Sequence, residues 1–146
     1  MVGSPGQTAE TLAEDFLFLK NLDPEMVGIG PFISHGDTPF RDKADGTLED
    51  TLFYLALLRL MLPGVLLPAT TALGTIHPSG RELGILSGAN VVMPNLSPLS
   101  VRKKYMLYDG KISTGDEAAE GIKNLKKRME TIGCQIVTDR GDYYKK

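Results

Sequence analysis

Val65-Leu66-Leu67-Pro68-Ala69-Thr70-Thr71 is an apolar run closed by two threonines, and Ala89-Asn90-Val91-Val92-Met93 is a second apolar run of strand length. Between them Ser79-Gly80-Arg81-Glu82-Leu83-Gly84-Ile85-Leu86-Ser87 predicts a short helix that Gly88 stops. Strands that are apolar throughout, each separated by a helix, are what a parallel sheet covered on its faces requires. The same rhythm continues upstream. Thr47-Leu48-Glu49-Asp50 resembles a capping box, with Asp where Glu is usual, and opens an apolar helix through about Leu62, punctuated by Pro63-Gly64.

Before it, Met26-Val27-Gly28-Ile29-Gly30-Pro31-Phe32-Ile33 has strand length, and its glycines suit close approach of another backbone or a ligand. Residues 34–46, rich in Gly, Asp and Pro, read as a loop. Leu12, Phe16, Leu17, Leu19 and Leu22 recur at helical spacing behind Thr8, a candidate N-cap, and Pro24 ends that helix. Downstream, Thr114-Gly115-Asp116-Glu117 starts a last helix running to about Thr131, with Gln135-Ile136-Val137 and a polar tail behind it. Met1-Val2-Gly3 has the look of a strand end. Counting it, the chain predicts an α/β fold, a partial (half) TIM-type (β/α) barrel with about four βα units and a parallel sheet, where a closed barrel has eight units and ~250 residues. An open half exposes two strand edges, so a missing N-terminal half-barrel or a second copy is the expected partner, with a homodimer favoured.

The bulk properties bound this reading. At 146 residues the chain is the size of one domain, and 42% hydrophobic with 23% charged residues is ordinary for a globular protein. No apolar run approaches the ~20 residues that cross a bilayer, and the N-terminus has no signal-peptide pattern, which favours the cytoplasm. The single Cys134 excludes an intramolecular disulfide. A net charge of −2 offers no general attraction to nucleic acid, although residues 101–146 hold 11 Lys/Arg against 7 Asp/Glu. Lys123, Lys126, Lys127 and Arg128 read as a solvated helix face.

In sheets of this kind ligands gather at the C-terminal strand ends. Thr70 and Thr71 there offer two hydroxyl donors for a carboxylate or another anion, or are simply β-branched residues ending a strand. His35 has Asp37 nearby but no second His or Cys at metal-ligand spacing, and His77 is distant, so His35 reads as a hydrogen-bonding loop residue and no metal site is expected. Met26 and Met93 read as core filler. Arg81-Glu82 reads as a surface ion pair or helix cap, and Cys134 as a small, part-buried residue. Tyr105, Leu107 and Tyr108 either pack on a flat ligand or cover the barrel rim.

Gly3-Ser4-Pro5-Gly6-Gln7-Thr8, Val27 to His35 with Thr38-Pro39, Pro68 to Thr75, Gly80-Arg81-Glu82, Gly88 to Asn95 and Tyr105-Met106-Leu107-Tyr108-Asp109-Gly110-Lys111 run in order along nearly the whole chain. Together they resemble the C-terminal half of the HydE and biotin synthase-like family of radical S-adenosylmethionine enzymes. The resemblance implies one domain over residues 1–146, with the biotin and thiamin synthesis associated region at roughly 47–137 and the cluster-binding N-terminal half absent. It implies S-adenosylmethionine and a 4Fe-4S cluster in the full-length enzyme, acting on a small molecule. Thr70 and Thr71 would then hold an anionic group, Met26 and Met93 line the cavity, and Tyr105, Leu107 and Tyr108 lie near the cofactor.

The family's Cys-x3-Cys-x2-Cys motif supplies three thiolates, and this chain has one cysteine. Where some maturases carry accessory-cluster cysteines, this chain has Ser113. The expectation is therefore no catalytic residue in these 146 residues, no cofactor held by the chain alone and no radical chemistry without a partner. A self-associating half-barrel that binds an anion is the alternative; a complete enzyme of another kind has only the presence of Thr and His side chains in its favour.

Overall fold

The computed structural model describes residues 1–102, 104–112, 118–139 and 141–143. In chain order the elements are α1 (Ala9–Leu22), α2 (Leu48–Met61), β1 (Pro68–Ala69), α3 (Thr71–Ile76), α4 (Gly80–Leu86), β2 (Val91–Val92), α5 (Leu99–Arg102) and α6 (Ala118–Glu130). The protein is thus α/β with a small parallel sheet, in which Pro68 pairs with Val91 and Ala69 with Val92. Two isolated parallel bridges, Val2 with Pro31 and Met26 with Leu66, lie alongside. Their hydrogen bonds alternate across the pair as in a ladder: Val2 N–H donates to Gly30 O (2.9 Å) and Phe32 N–H to Val2 O (2.7 Å).

The strands are much shorter than the apolar runs predict. Pro31 and Pro68 have no N–H to give a ladder, and Thr70 has left the sheet to cap α3. Thr71, expected to close a strand, is the first residue of that helix. Gly30 supplies the expected close approach, because a Cβ there would fall 2.7 Å from Thr70 Oγ1. The intended start of the last helix at Thr114–Glu117 lies outside the described residues, and Gln135–Val137 form no strand.

The helix ends follow from their caps. Thr8 and Thr11 make a reciprocal box, each backbone N–H donating to the other's hydroxyl. Thr47 accepts from Asp50 N–H, but Asp50 takes the Thr47 hydroxyl proton instead of the backbone N–H, so that box is one-sided. Asp23, in the left-handed region at φ 48°, ends α1 just ahead of Pro24.

The core lies on one side of the extended runs. Val65, Leu67 and Ala69 are fully buried with Leu55 and Leu58 of α2 and Leu73 of α3. Period-two alternation sends Met26 and Met93 to the opposite side, where they are 52% and 44% exposed. Among the described residues no helix is long and apolar enough to cross a membrane.

Arg59 fastens the end of α2 to the sheet. Its Nε donates to Gly88 O (2.8 Å), and one terminal nitrogen reaches the carbonyls of Pro63 (2.8 Å) and Val65 (2.9 Å). Burial pulls its pKa down. Arg59→Ala is expected to lose about 2 kcal/mol, because the partly buried carbonyls of Gly88 and Val65 lose a charged donor and the guanidinium packing goes with it. A urea midpoint unchanged from wild type would contradict this.

Candidate functional site

α3 begins where β1 ends, so Thr70 and Thr71 sit together at the C-terminal end of the sheet. Thr70 Oγ1 accepts the Leu73 N–H at 3.5 Å as the N-cap. Its hydroxyl proton remains available, so the capping role and a ligand role are compatible. Beside it in register comes Met93, one residue past the Ala69–Val92 pair.

The segment after α5 roofs this end. Asp109 N–H donates to Ser34 O (3.1 Å), Asp109 Oδ2 accepts from Gly36 N–H (2.9 Å), and Ile112 N–H donates to Thr75 Oγ1 (3.3 Å). Lys111 Nζ sits 4.0 Å from the Tyr105 ring centroid and 5.9 Å from that of Tyr108, and donates to Tyr105 O (3.1 Å). Desolvation lowers its pKa, and the cation holds both rings by their faces.

The open cavity measures about 420 Å³, and Thr70, Thr71, Met93, Tyr105, Leu107 and Tyr108 all line it. Six of the seven residues expected from the sequence therefore converge. Met26 does not join them. It pairs with Leu66, four residues before Thr70 on the neighbouring run, which at ~3.3 Å per residue puts it near the opposite end of the sheet. Thr70, Ala72, Leu107 and Tyr108 also wall a second opening of about 510 Å³ that reaches Gly28–Ile33 and His35.

Arg102 and Lys111 bring positive charge to the main cavity, and composition did not single them out as ligand contacts. Arg102 is 6% exposed and donates from Nε to Ser97 O (2.8 Å). Arg102 ends the four-residue α5, too short to give a periodic signal, so only the fold brings it inward. His35 is the loop residue the sequence suggests, its Nδ1 accepting from Asp37 N–H (3.1 Å). His77 caps a turn through Ser79 N–H (3.2 Å), and Cys134 is part-buried. Among the described residues no three His, Cys, Asp or Glu side chains are grouped to hold a metal ion.

Arg81 and Glu82 correct the surface reading. Glu82 is 8% exposed, and both of its oxygens accept from Arg128 of α6, Oε1 from Nε and Oε2 from Nη2 (2.7 Å). Desolvation raises the Glu82 pKa, but the Arg128 hydrogen bonds, the backbone and the charges of Arg128 and Arg81 outweigh it and hold the carboxyl below its usual value. Arg128 thus leaves the solvated face on which Lys123, Lys126 and Lys127 remain exposed.

No family model matches the chain. It is 49% identical over 141 residues to the [FeFe] hydrogenase maturase subunit HydE of Thermotoga maritima, which covers 97% of this chain and 40% of the maturase. It is 32% identical over 113 residues to the 3-methylornithine synthase of Methanosarcina barkeri, covering 77% of this chain and 31% of that protein. With the biotin synthase of Corynebacterium jeikeium it shares 36% identity over 89 residues, 60% of this chain and 25% of the synthase. The chain thus spans well under half the length of these curated relatives; along nearly all of its own it resembles the C-terminal portion of HydE, and over smaller shares that protein's biotin synthase-like kin among the radical S-adenosylmethionine enzymes.

Proposed function

We propose that this chain is the C-terminal half-barrel of a HydE-like or biotin synthase-like radical S-adenosylmethionine enzyme and supplies one wall of its cofactor and substrate cavity. The observation that carries the proposal is the convergence of Thr70, Thr71, Met93, Tyr105, Leu107 and Tyr108 on one cavity at the C-terminal end of a parallel sheet. In this reading the runs at Val2, Met26–Pro31, Leu66–Ala69 and Val91–Val92 are four barrel strands. Thr70 and Thr71 bind a carboxylate or similar anion, and the two tyrosines with Leu107 flank the cofactor.

The chain's own residues do not fit the cluster. Three thiolates are needed to hold 4Fe-4S with one iron left open, and Cys134 is the one cysteine of the 146 residues. The chain alone is therefore inactive in this proposal. Its open side, with Met26 and Met93 half-exposed, takes the remaining barrel strands in the assembled cytoplasmic enzyme.

Anaerobic reconstitution with iron and sulfide is expected to give neither a 4Fe-4S absorption band nor S-adenosylmethionine cleavage from this chain. Addition of a separately produced, cysteine-bearing N-terminal portion is expected to restore both. A cluster on this chain alone, or no cleavage after association of the two portions, counts against the proposal. The half-exposed methionines of the open side also favour a second reading, a self-associating half-barrel with an anion site at Thr70 and Thr71. Sedimentation at high concentration separates the two: a stable dimer that refuses the N-terminal portion supports the module.

A further inference from the structure

Behind the wall formed by Pro94, Asn95 and Ile112 lies a separate, smaller space of about 60 Å³ between α4 and α6. Arg81, Asn95, Asn124 and Arg128 bring polar groups to it, and Ile112 and Leu125 close it. Two guanidinium groups therefore face one pocket, with no carboxylate among its described lining residues. Glu82 is committed with both oxygens to Arg128, which also donates to Pro78 O. Arg81 is left over. Its Nε has almost no accessible surface and donates to no acceptor among the described residues.

An unsatisfied buried donor on a charged group costs at least ~1–3 kcal/mol, so a retained one asks for an occupant. Burial foremost, then the Arg128 charge, lowers the Arg81 pKa, while Glu82 opposes the shift without touching the free Nε. Gly74 is what lets the arginine lie here, because a Cβ on it would come within 3.4 Å of both Arg81 Nε and Ile112 Cδ1. Asn95 Oδ1 accepts from Ser97 N–H (3.0 Å), which leaves the donor end of that amide for other partners. A space of about 60 Å³ has room for a small anion.

We propose that this pocket is a binding site for a small oxyanion, with Arg81 as its principal ligand and the Asn95 side-chain amide as a second donor. The site is distinct from the cavity at Thr70 and Thr71, and it stands whether or not the chain works as part of a radical enzyme.

The test is a titration of the ¹⁵N-labelled chain with inorganic phosphate, and separately with acetate, against chloride at constant ionic strength. The arginine Nε–Hε correlation of Arg81 and the Asn95 side-chain amide are expected to shift saturably, and the stronger ligand distinguishes a tetrahedral oxyanion from a carboxylate. Arg81→Gln is expected to weaken binding more than tenfold. Non-saturating drift, or a saturable response centred on Thr70, Thr71 and Lys111 with Arg81 unmoved, would overturn the proposal. The wild-type titration decides by itself should Arg81→Gln fail to fold.

Discussion

Gly80→Ala is expected to lower stability by about 3 kcal/mol or more, at the upper end for overpacking a buried site. A Cβ at Gly80 would fall 1.9 Å from Leu73 O and 2.5 Å from Leu73 C, with Gly74 N at 3.1 Å. These are backbone atoms, so no rotamer change relieves the contact. Leu73 O also accepts the His77 N–H that closes α3 (3.2 Å), so moving the carbonyl opens the helix that carries Thr71 and is capped by Thr70. Stability loss and a disturbed cavity should therefore appear together, read as a lower urea midpoint and an altered near-ultraviolet spectrum. The control is Gly121→Ala on α6, where a Cβ meets nothing within 4 Å among the described residues and helix propensity predicts a gain of up to about 1 kcal/mol. Equal midpoints for the two variants would refute the argument.

That contact could not be read from the chain, because it depends on α3, a six-residue helix that the sequence hides. Thr70-Thr71 carries the β-branched signature of a strand end, and six residues are too few for a helical period to declare itself. Caps were legible because they are local: Thr8 and Thr47 reach only three residues ahead. The lining of the candidate cavity was legible for two different reasons. Thr70, Thr71 and the strand-end position of Met93 follow from the rule that ligands gather at strand ends, whereas resemblance distinguished Met93 from core filler and Tyr105, Leu107 and Tyr108 from rim. Resemblance also carried Met26, which the register places away from the cavity. Glu82 with Arg128 was illegible, since its partners lie 46 residues apart and each looks like an ordinary surface charge.

Removing that carboxylate should have the second large effect. Glu82→Gln keeps the shape but leaves Arg128 and the neighbouring Arg81 both charged, with no anion between them. Breaking a fully buried pair costs ~3–5 kcal/mol; with the Arg128 side chain 40% exposed and that of Glu82 11%, about 2–3 kcal/mol is expected. The pH dependence identifies the cause. The folded pKa of Glu82 lies below its ordinary 4.5, so its contribution is complete above that value and fades as pH falls through the folded value. The wild-type advantage over Glu82→Gln in urea unfolding should be constant from about pH 6 to pH 8 and shrink steadily below about pH 4.5. A difference independent of pH down to about pH 2 would mean that the carboxylate charge plays no part. Adding Arg128→Met to Glu82→Gln should recover part of the loss, because the double variant no longer holds an unpaired guanidinium against Arg81, and a double variant worse than the sum of its singles would refute the pairing.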